Sequence, residues 1–298
     1  MPAKRCAYLT MDSAEGWSID AELCLPPLGA LGWQVDAIPW RSEVADWDEF
    51  DAVYIGVPWD YPEDPERFLS VLESIDRSRA ILVNDLSLVH WSMPKTYLRD
   101  LERRGAAIVP SLWYEDMEIE YLEDAFIAHE TDRIIVKPVV STNATDTFLL
   151  TREDVRELER NLLTTFSNRP FVVQPFIDSI LREGEYSLFY FNRQFSHAIQ
   201  KIPASKDFRV QEEHGVEIAP VAPSAALLET GNHVMSLVHP LPAYARVDLV
   251  RGSDDRFLVM ELELIEPSMY LRTDADAPRR FAEAFDDYVN KVSAGEQP

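Results

Sequence analysis

The chain has 298 residues, 46% of them apolar, with 28 basic side chains against 52 acidic ones and a net charge of −24. That length is about twice the roughly 150 residues of one domain and implies two or three lobes with a cleft between them, while no apolar run reaches the ~18 residues needed to cross a bilayer. The negative charge excludes nucleic acid and anionic membrane surfaces as general partners, but a small anionic substrate is compatible with it if local cations and a metal gather in one cleft.

At the N-terminus, Lys4 and Arg5 are followed by too short an apolar stretch before Asp12 for a secretory signal, so a cytoplasmic protein is expected. Cys6 and Cys24 read as small buried hydrophobes. Residues 5–91 alternate strand-like pieces (5–10, 34–38, 52–57, 80–84) with helical ones (near Pro26 and Pro27, and 65–75), the pattern of a parallel α/β lobe. Ligands approach such sheets at the carboxyl ends of the strands, here the loop from Thr10 through Asp12 to Ser13 and the run Trp59, Asp60, Tyr61. Trp59 and Tyr61 fit a role as caps on the lobe's core equally well.

A helix is expected over 92–104, with Pro94 in its first turn and Gly105 as its stop. Lys95 then sits in that first turn, where the helix dipole disfavours a cation unless an anion or water relieves it. Residues 106–172 carry strands at 108–113, 134–138 and 147–150 and a helix over 152–166, a small α+β lobe. Residues 173–267 are strand-rich around a helix over 224–238, and a helix over 278–292 closes the chain. The division expected is 1–91, 92–172 and 173–298, with no internal repeat.

Lys137 ends the apolar strand Ile134–Pro138, and the seven residues after Pro138 are mostly small and polar, as in a phosphate lid. An ordinary surface lysine is the alternative. In the run Phe257 to Ile265, Glu261 and Glu263 share one face of a strand whose other face is apolar. Arg246 and Asp248 are spaced in the same way in the run Tyr244 to Leu249. A hairpin turning at Asp254 and Asp255 sets Asp248 opposite Glu261 and Arg246 opposite Glu263. Three carboxylates beside an arginine suit magnesium and phosphate, although a solvated face with a cross-strand ion pair has the same spacing. No Walker loop, G-x-G-x-x-G or G-x-S-x-G occurs, and His90, His129, His197, His214, His233 and His239 lack metal spacing.

In this order the pieces resemble the ATP-grasp superfamily over nearly the whole chain: an α/β pre-ATP-grasp lobe, an α+β lid lobe and a metal-bearing carboxyl lobe. The resemblance implies ATP and magnesium, two ions, as cofactors. It implies Lys95 and Lys137 on the α- and β-phosphates, Gln174, Pro175, Phe176 and Ile177 as the adenine hinge, and Glu185 on ribose. Lys201 and Arg209 would approach the γ-phosphate and acyl phosphate, and Asp248, Glu261 and Glu263 would ligate the metal. The segment E-L-E-L-I-E-P is similar to the E-x-N-x-x-x-P of the glutathione synthetase branch, with Glu263 where many relatives have asparagine. The lid loop has no glycine, so phosphate contacts there would fall to hydroxyls such as Ser141 and to Asn143.

The runs W-D-Y, W-S-M-P-K-T-Y-L, V-V-S-T-N-A-T-D-T-F and E-P-S-M-Y-L are most similar to the O-ureido-serine cyclo-ligases of cycloserine biosynthesis. That implies phosphorylation of a small amino acid's carboxylate and attack by a nitrogen of the same molecule. Arg246 would orient the carboxylate or its oxyanion, and Glu266 and Tyr270 would reach the substrate or serve structure. An intermolecular carboxylate-amine ligase and a non-catalytic nucleotide-binding protein are the competing readings; a homo-oligomer is left open.

Overall fold

A computed structural model describes residues 3–204, 207–210, 212 and 215–296; His214 lies outside them. The N-terminal lobe is a parallel sheet of β1 (Lys4–Thr10), β2 (Trp33–Pro39), β3 (Ala52–Val57) and β4 (Ile81–Val83), in the order β2-β1-β3-β4, with α1 (Leu25–Ala30) and α2 (Pro65–Asp76). All six residues of β3 are buried, as a central parallel strand covered on both faces requires. The Asp64 carboxylate accepts from Arg67 N–H at the start of α2 and Pro65 occupies its first turn, so the sequence itself sets where this helix begins.

The helix expected over 92–104 starts later, as α4 (Tyr97–Arg103), and a separate helix, α3 (Leu86–Ser92), ends where it was expected to begin. Pro94 has no N–H to continue the first helix, and Lys95 N–H turns aside to the carbonyl of Val139 at 2.9 Å. Lys95 therefore stands in the turn between the helices rather than in a first helical turn. The strand expected over 108–113 is likewise divided. Val109 N–H donates to Val259 O and Val259 N–H to Ala107 O, whereas β5 (Leu112–Tyr114) joins a different sheet. Pro110 between them interrupts the ladder.

The lid is an antiparallel sheet in the order β5-β8-β6-β7, built with α5 (Ile119–Ala128), β6 (Ile134–Pro138), β7 (Phe148–Leu150), α6 (Arg152–Thr165) and β8 (Phe171–Pro175). Thr151 and Asp154 form a reciprocal capping box that starts α6. The carboxyl sheet is antiparallel, β11-β10-β9-β12-β13, from β9 (Glu185–Phe191), β10 (Gln194–Ile202), β11 (Glu217–Pro220), β12 (Tyr244–Arg251) and β13 (Phe257–Glu263). On one side it packs against α7 (Ala225–Leu237) and α4, through Tyr97, Leu98, Leu188, Val234 and Val247.

The last helix, α8 (Ala277–Ser293), joins the first lobe to the third. Its Phe281, Phe285 and Tyr288 share one core with Trp33 and Tyr54 of the parallel sheet and Phe191 and Tyr244 of the carboxyl sheet. Asn84, fully buried, adds polar fixation: its side-chain amide donates to Tyr244 O at 2.9 Å and Leu264 O at 2.7 Å, and its oxygen accepts from Ala243 N–H at 2.7 Å. These contacts hold the carboxyl ends of the first sheet against the hairpin β12–β13.

Candidate active site

β12 and β13 pair as the alternation of their residues requires, with Arg246 opposite Glu263 and Asp248 opposite Glu261, and a bulge follows Asp248. The acidic face of this hairpin forms the floor of a cavity of about 380 Å³. Lys137 comes down from β6 to Glu261 at 2.7 Å, and Lys95 approaches the same carboxylate oxygen at 3.8 Å while donating to Ser141 O at 2.9 Å. Lys201 on β10 is buried against Glu185 at 2.8 Å and lies 3.8 Å from Asp248. Arg246 grips Asp248 through two nitrogens, at 3.0–3.1 Å, and also donates to Glu263 and to Ser268 O. Four cations from four separate segments thus meet four carboxylates of one sheet.

Burial pushes the Glu261 carboxyl up, but Lys137 and Lys95 overcome that push and hold it down at about 2. Asp248 is held below the usual range in the same way, Arg246 and Lys201 outweighing burial. Burial prevails at the other two acids: Glu263 rises to about 7 against the pull of Arg246, and Glu266, with Glu263 adding to the effect, rises to about 8. The floor is therefore graded, its carboxyl groups held down under the lysines and raised toward the Glu266 end.

At the opposite end Gln174, Pro175, Phe176 and Ile177 line the cavity with Val109, Ile135, Ile180, Phe208 and Val210, an apolar slot with backbone at its edge. The Phe176 N–H is already taken by Arg133 O, and the Gln174 amide braces Ser111 at 2.9 Å. Ile177 N–H has no acceptor among the described residues. Arg209 lines the cavity while its guanidinium holds both oxygens of Asp207, at 3.1 and 2.9 Å.

Trp59 connects the lobes: its indole N–H donates to Glu266 O and its carbonyl accepts from the Thr142 hydroxyl, both at 2.9 Å. Ser141, Asn143, Tyr61 and Tyr270 also line the cavity, with Tyr61 stacked on Phe68 of its own core at 4.8 Å. Two expected substrate residues do not reach it. Asp12 is exposed in its loop, and the Asp60 carboxylate faces its own lobe, paired with Arg41 and with the Trp40 indole. Trp17, five residues beyond Asp12, is there instead, packed on Trp59 at 5.2 Å.

Asp248, Glu261 and Glu263 are hard oxygen donors on one face, which is the chemistry magnesium takes. In this arrangement, however, each is turned onto a lysine or an arginine. No group of three or more His, Cys, Asp or Glu side chains among the described residues is gathered around a metal position. The expectation of a ready-made chelate is corrected accordingly: the donors fit the ion, but the cations hold them first.

A pre-sheet lobe, a lid and a carboxyl sheet whose acidic hairpin faces lysines across a cleft define an ATP-grasp ligase. The ATP-grasp ligase PsnB, solved with its minimal precursor, Mg and ADP, has this fold: TM-score 0.64 at 15% identity over 96% of this chain and 98% of that one. More particularly, the chain belongs to the family of the cycloserine biosynthesis protein DcsG. It is 30% identical to DcsG of Streptomyces lavendulae over 286 residues, which span 90% of this chain and 94% of that protein. The crystal structure of D-cycloserine synthetase DcsG matches with a TM-score of 0.85 and 26% identity over 96% and 99% of the two chains. The family described as D-cycloserine synthetase DcsG, N-terminal domain, matches residues 6–84.

Proposed function

We propose that this enzyme phosphorylates the carboxylate of a small amino acid with ATP and that a nitrogen of the same molecule then closes a ring and expels phosphate, with O-ureido-serine as substrate, its carbamoyl group lost by hydrolysis as carbon dioxide and ammonia, and cycloserine as product. The observation that carries this reading is the convergence of Lys95, Lys137, Lys201 and Arg246 on the acidic hairpin, beside an apolar slot with a free backbone N–H. The membership in the DcsG family supplies the substrate class.

In this reading Ile177 N–H receives the adenine, Glu185 the ribose, and Lys95 and Lys137 the inner phosphates. Asp248, Glu261 and Glu263 would hold magnesium, two ions, and the metal would supply positive charge to neutralise the phosphoryl group. Lys201 and Arg209 face the phosphoryl group as it moves. Arg246, pinned by Asp248 and Ser268, orients the substrate carboxylate and then stabilises the oxyanion formed on nitrogen attack. The Thr142 and Trp59 tie closes the lid loop over the cleft and keeps water from the acyl phosphate. Nucleotide binding between residues 92–172 and 173–298, with residues 1–91 walling the substrate end, follows from these assignments. Dependence on ATP points to the cytoplasm.

The test is ADP formation from ATP and magnesium with O-ureido-serine, both enantiomers, followed by mass spectrometry of the product. Substrate-dependent ADP with a cyclic product supports the reading. A product joining two molecules would favour an intermolecular ligase, and no ADP from any amino acid would remove the proposal.

A further inference from the structure

One acidic side chain in the cleft is in no ion pair with any described residue. Around the cavity, Glu185 pairs with Lys201, Asp248 and Glu263 with Arg246, Glu261 with Lys137, and Glu212 with Arg272. Glu266 also lines it, yet its carboxyl group makes no ion pair with any described residue, and Lys95 and Arg246 act on it only from a distance. Burial therefore raises this carboxyl group, and a cation bound beside it would draw its proton off and pair with the carboxylate, as every neighbour of its kind is already paired.

Glu266 is nevertheless held with care. The Trp59 indole fixes its carbonyl at 2.9 Å, Pro267 follows it, and two residues on, Ser268 O accepts from Arg246 at 3.2 Å. The short segment 266–268 is thus anchored at one end by a tryptophan and at the other by the arginine assigned to the substrate carboxylate. Trp59 packs on Trp17, ring centroids 5.2 Å apart, which makes the neighbouring wall aromatic and favourable to a cation.

We propose that Glu266 receives the ammonium group of the substrate, so that Arg246 and Glu266 together read the two charges of an α-amino acid zwitterion. The inference rests on the ligase reading above. It makes Glu266 a specificity residue: a substrate lacking the ammonium forgoes this ion pair and binds more weakly for that reason.

The experiment compares O-ureido-serine with 3-(ureidooxy)propanoate, the same molecule without its amino group, in wild-type enzyme and in Glu266→Gln and Glu266→Asp. ADP formation is followed across substrate, ATP and magnesium concentrations. In wild type the amino compound should be preferred by about 100-fold in kcat/KM. Glu266→Gln should lower kcat/KM for the amino compound by about that factor, chiefly through KM, and leave the deaminated compound, the KM for ATP and the magnesium requirement within about two-fold. Glu266→Asp, which keeps the charge, should retain part of the preference. Equal losses for both compounds in Glu266→Gln, or a shifted magnesium requirement, would overturn the assignment and make Glu266 a structural residue or a metal ligand. No ADP from either compound in the wild type is the separate failure of the ligase reading on this substrate, and the inference falls with it.

Discussion

Lys137 of the lid meets Glu261 of the carboxyl sheet at 2.7 Å, across 124 residues of sequence. The pair joins the two lobes between which a nucleotide would lie, and Lys137 is the foremost of the cations that hold the buried Glu261 carboxyl down. Lys137→Met should lower ATP affinity by at least ten-fold and kcat/KM by about 100-fold or more, the usual scale for a phosphate-facing cation in a shielded site. Isothermal titration and steady-state ADP formation check the two effects. A variant with wild-type values for both would show that the lysine serves only Glu261.

Gly184 precedes the buried Glu185 with φ +76°, and a Cβ there would lie 2.0 Å from the carbonyl oxygen of Lys201. The close approach of these two backbones brings Glu185 and Lys201 together. Gly184→Ala should cost about 2 kcal/mol or more in urea unfolding, because both the left-handed backbone and the clash oppose it. Turnover should fall with it, as Lys201 is displaced.

His197 lies flat on Phe189, ring centroids 4.3 Å apart, with Nε2 hydrogen-bonded to Met269 O at 3.0 Å. Burial pushes its imidazole down from 6.5 to about 4. The unfolded chain therefore takes up this proton first, and the associated stability is complete above pH 6.5 and lost as pH falls from 6.5 toward 4. Wild type should lose about 2 kcal/mol more between pH 7 and pH 5 than His197→Gln does. Equal losses in urea titrations at the two pH values would contradict it.

Asn84→Ala removes three buried hydrogen bonds between the first lobe and the β12–β13 hairpin. The loss should be about 3 kcal/mol, or roughly 6 °C in Tm for a chain of this length. A scanning calorimetric trace unchanged by the substitution would mean that α8 and the Trp59 and Tyr244 contacts hold the lobes together without it.

The periodicity of the sequence carried much of this architecture. Strict alternation in β12 and β13 made the register of Arg246, Asp248, Glu261 and Glu263 legible, because a one-residue slip would have buried the charges and exposed Val247 and Leu262. What local pattern cannot carry is where a loop travels. Pro94 and Pro110 each broke an expected element, and Lys95 gained its place in the cleft through Val139 rather than through a helix dipole. Trp17 was missed because only the first residues after β1 were taken as the ligand-facing loop, and Asp60 was misplaced because its partner Arg41 is a tertiary neighbour. The lid loop has no glycine, yet Asn143, Ala144 and Asp146 adopt left-handed backbone at φ 52–54°, a conformation composition alone does not forecast.

Lys137 of the lid and Glu261 of the carboxyl hairpin, in contact with each other here, would be parted by one magnesium-bound nucleotide. Calorimetric titration of ATP with magnesium into wild type, Lys137→Met and Glu261→Gln tests it most directly. The account expects saturable binding in wild type that depends on magnesium, and losses of at least ten-fold in both variants. Uptake undiminished in the variants, or no uptake by the wild type, would contradict it.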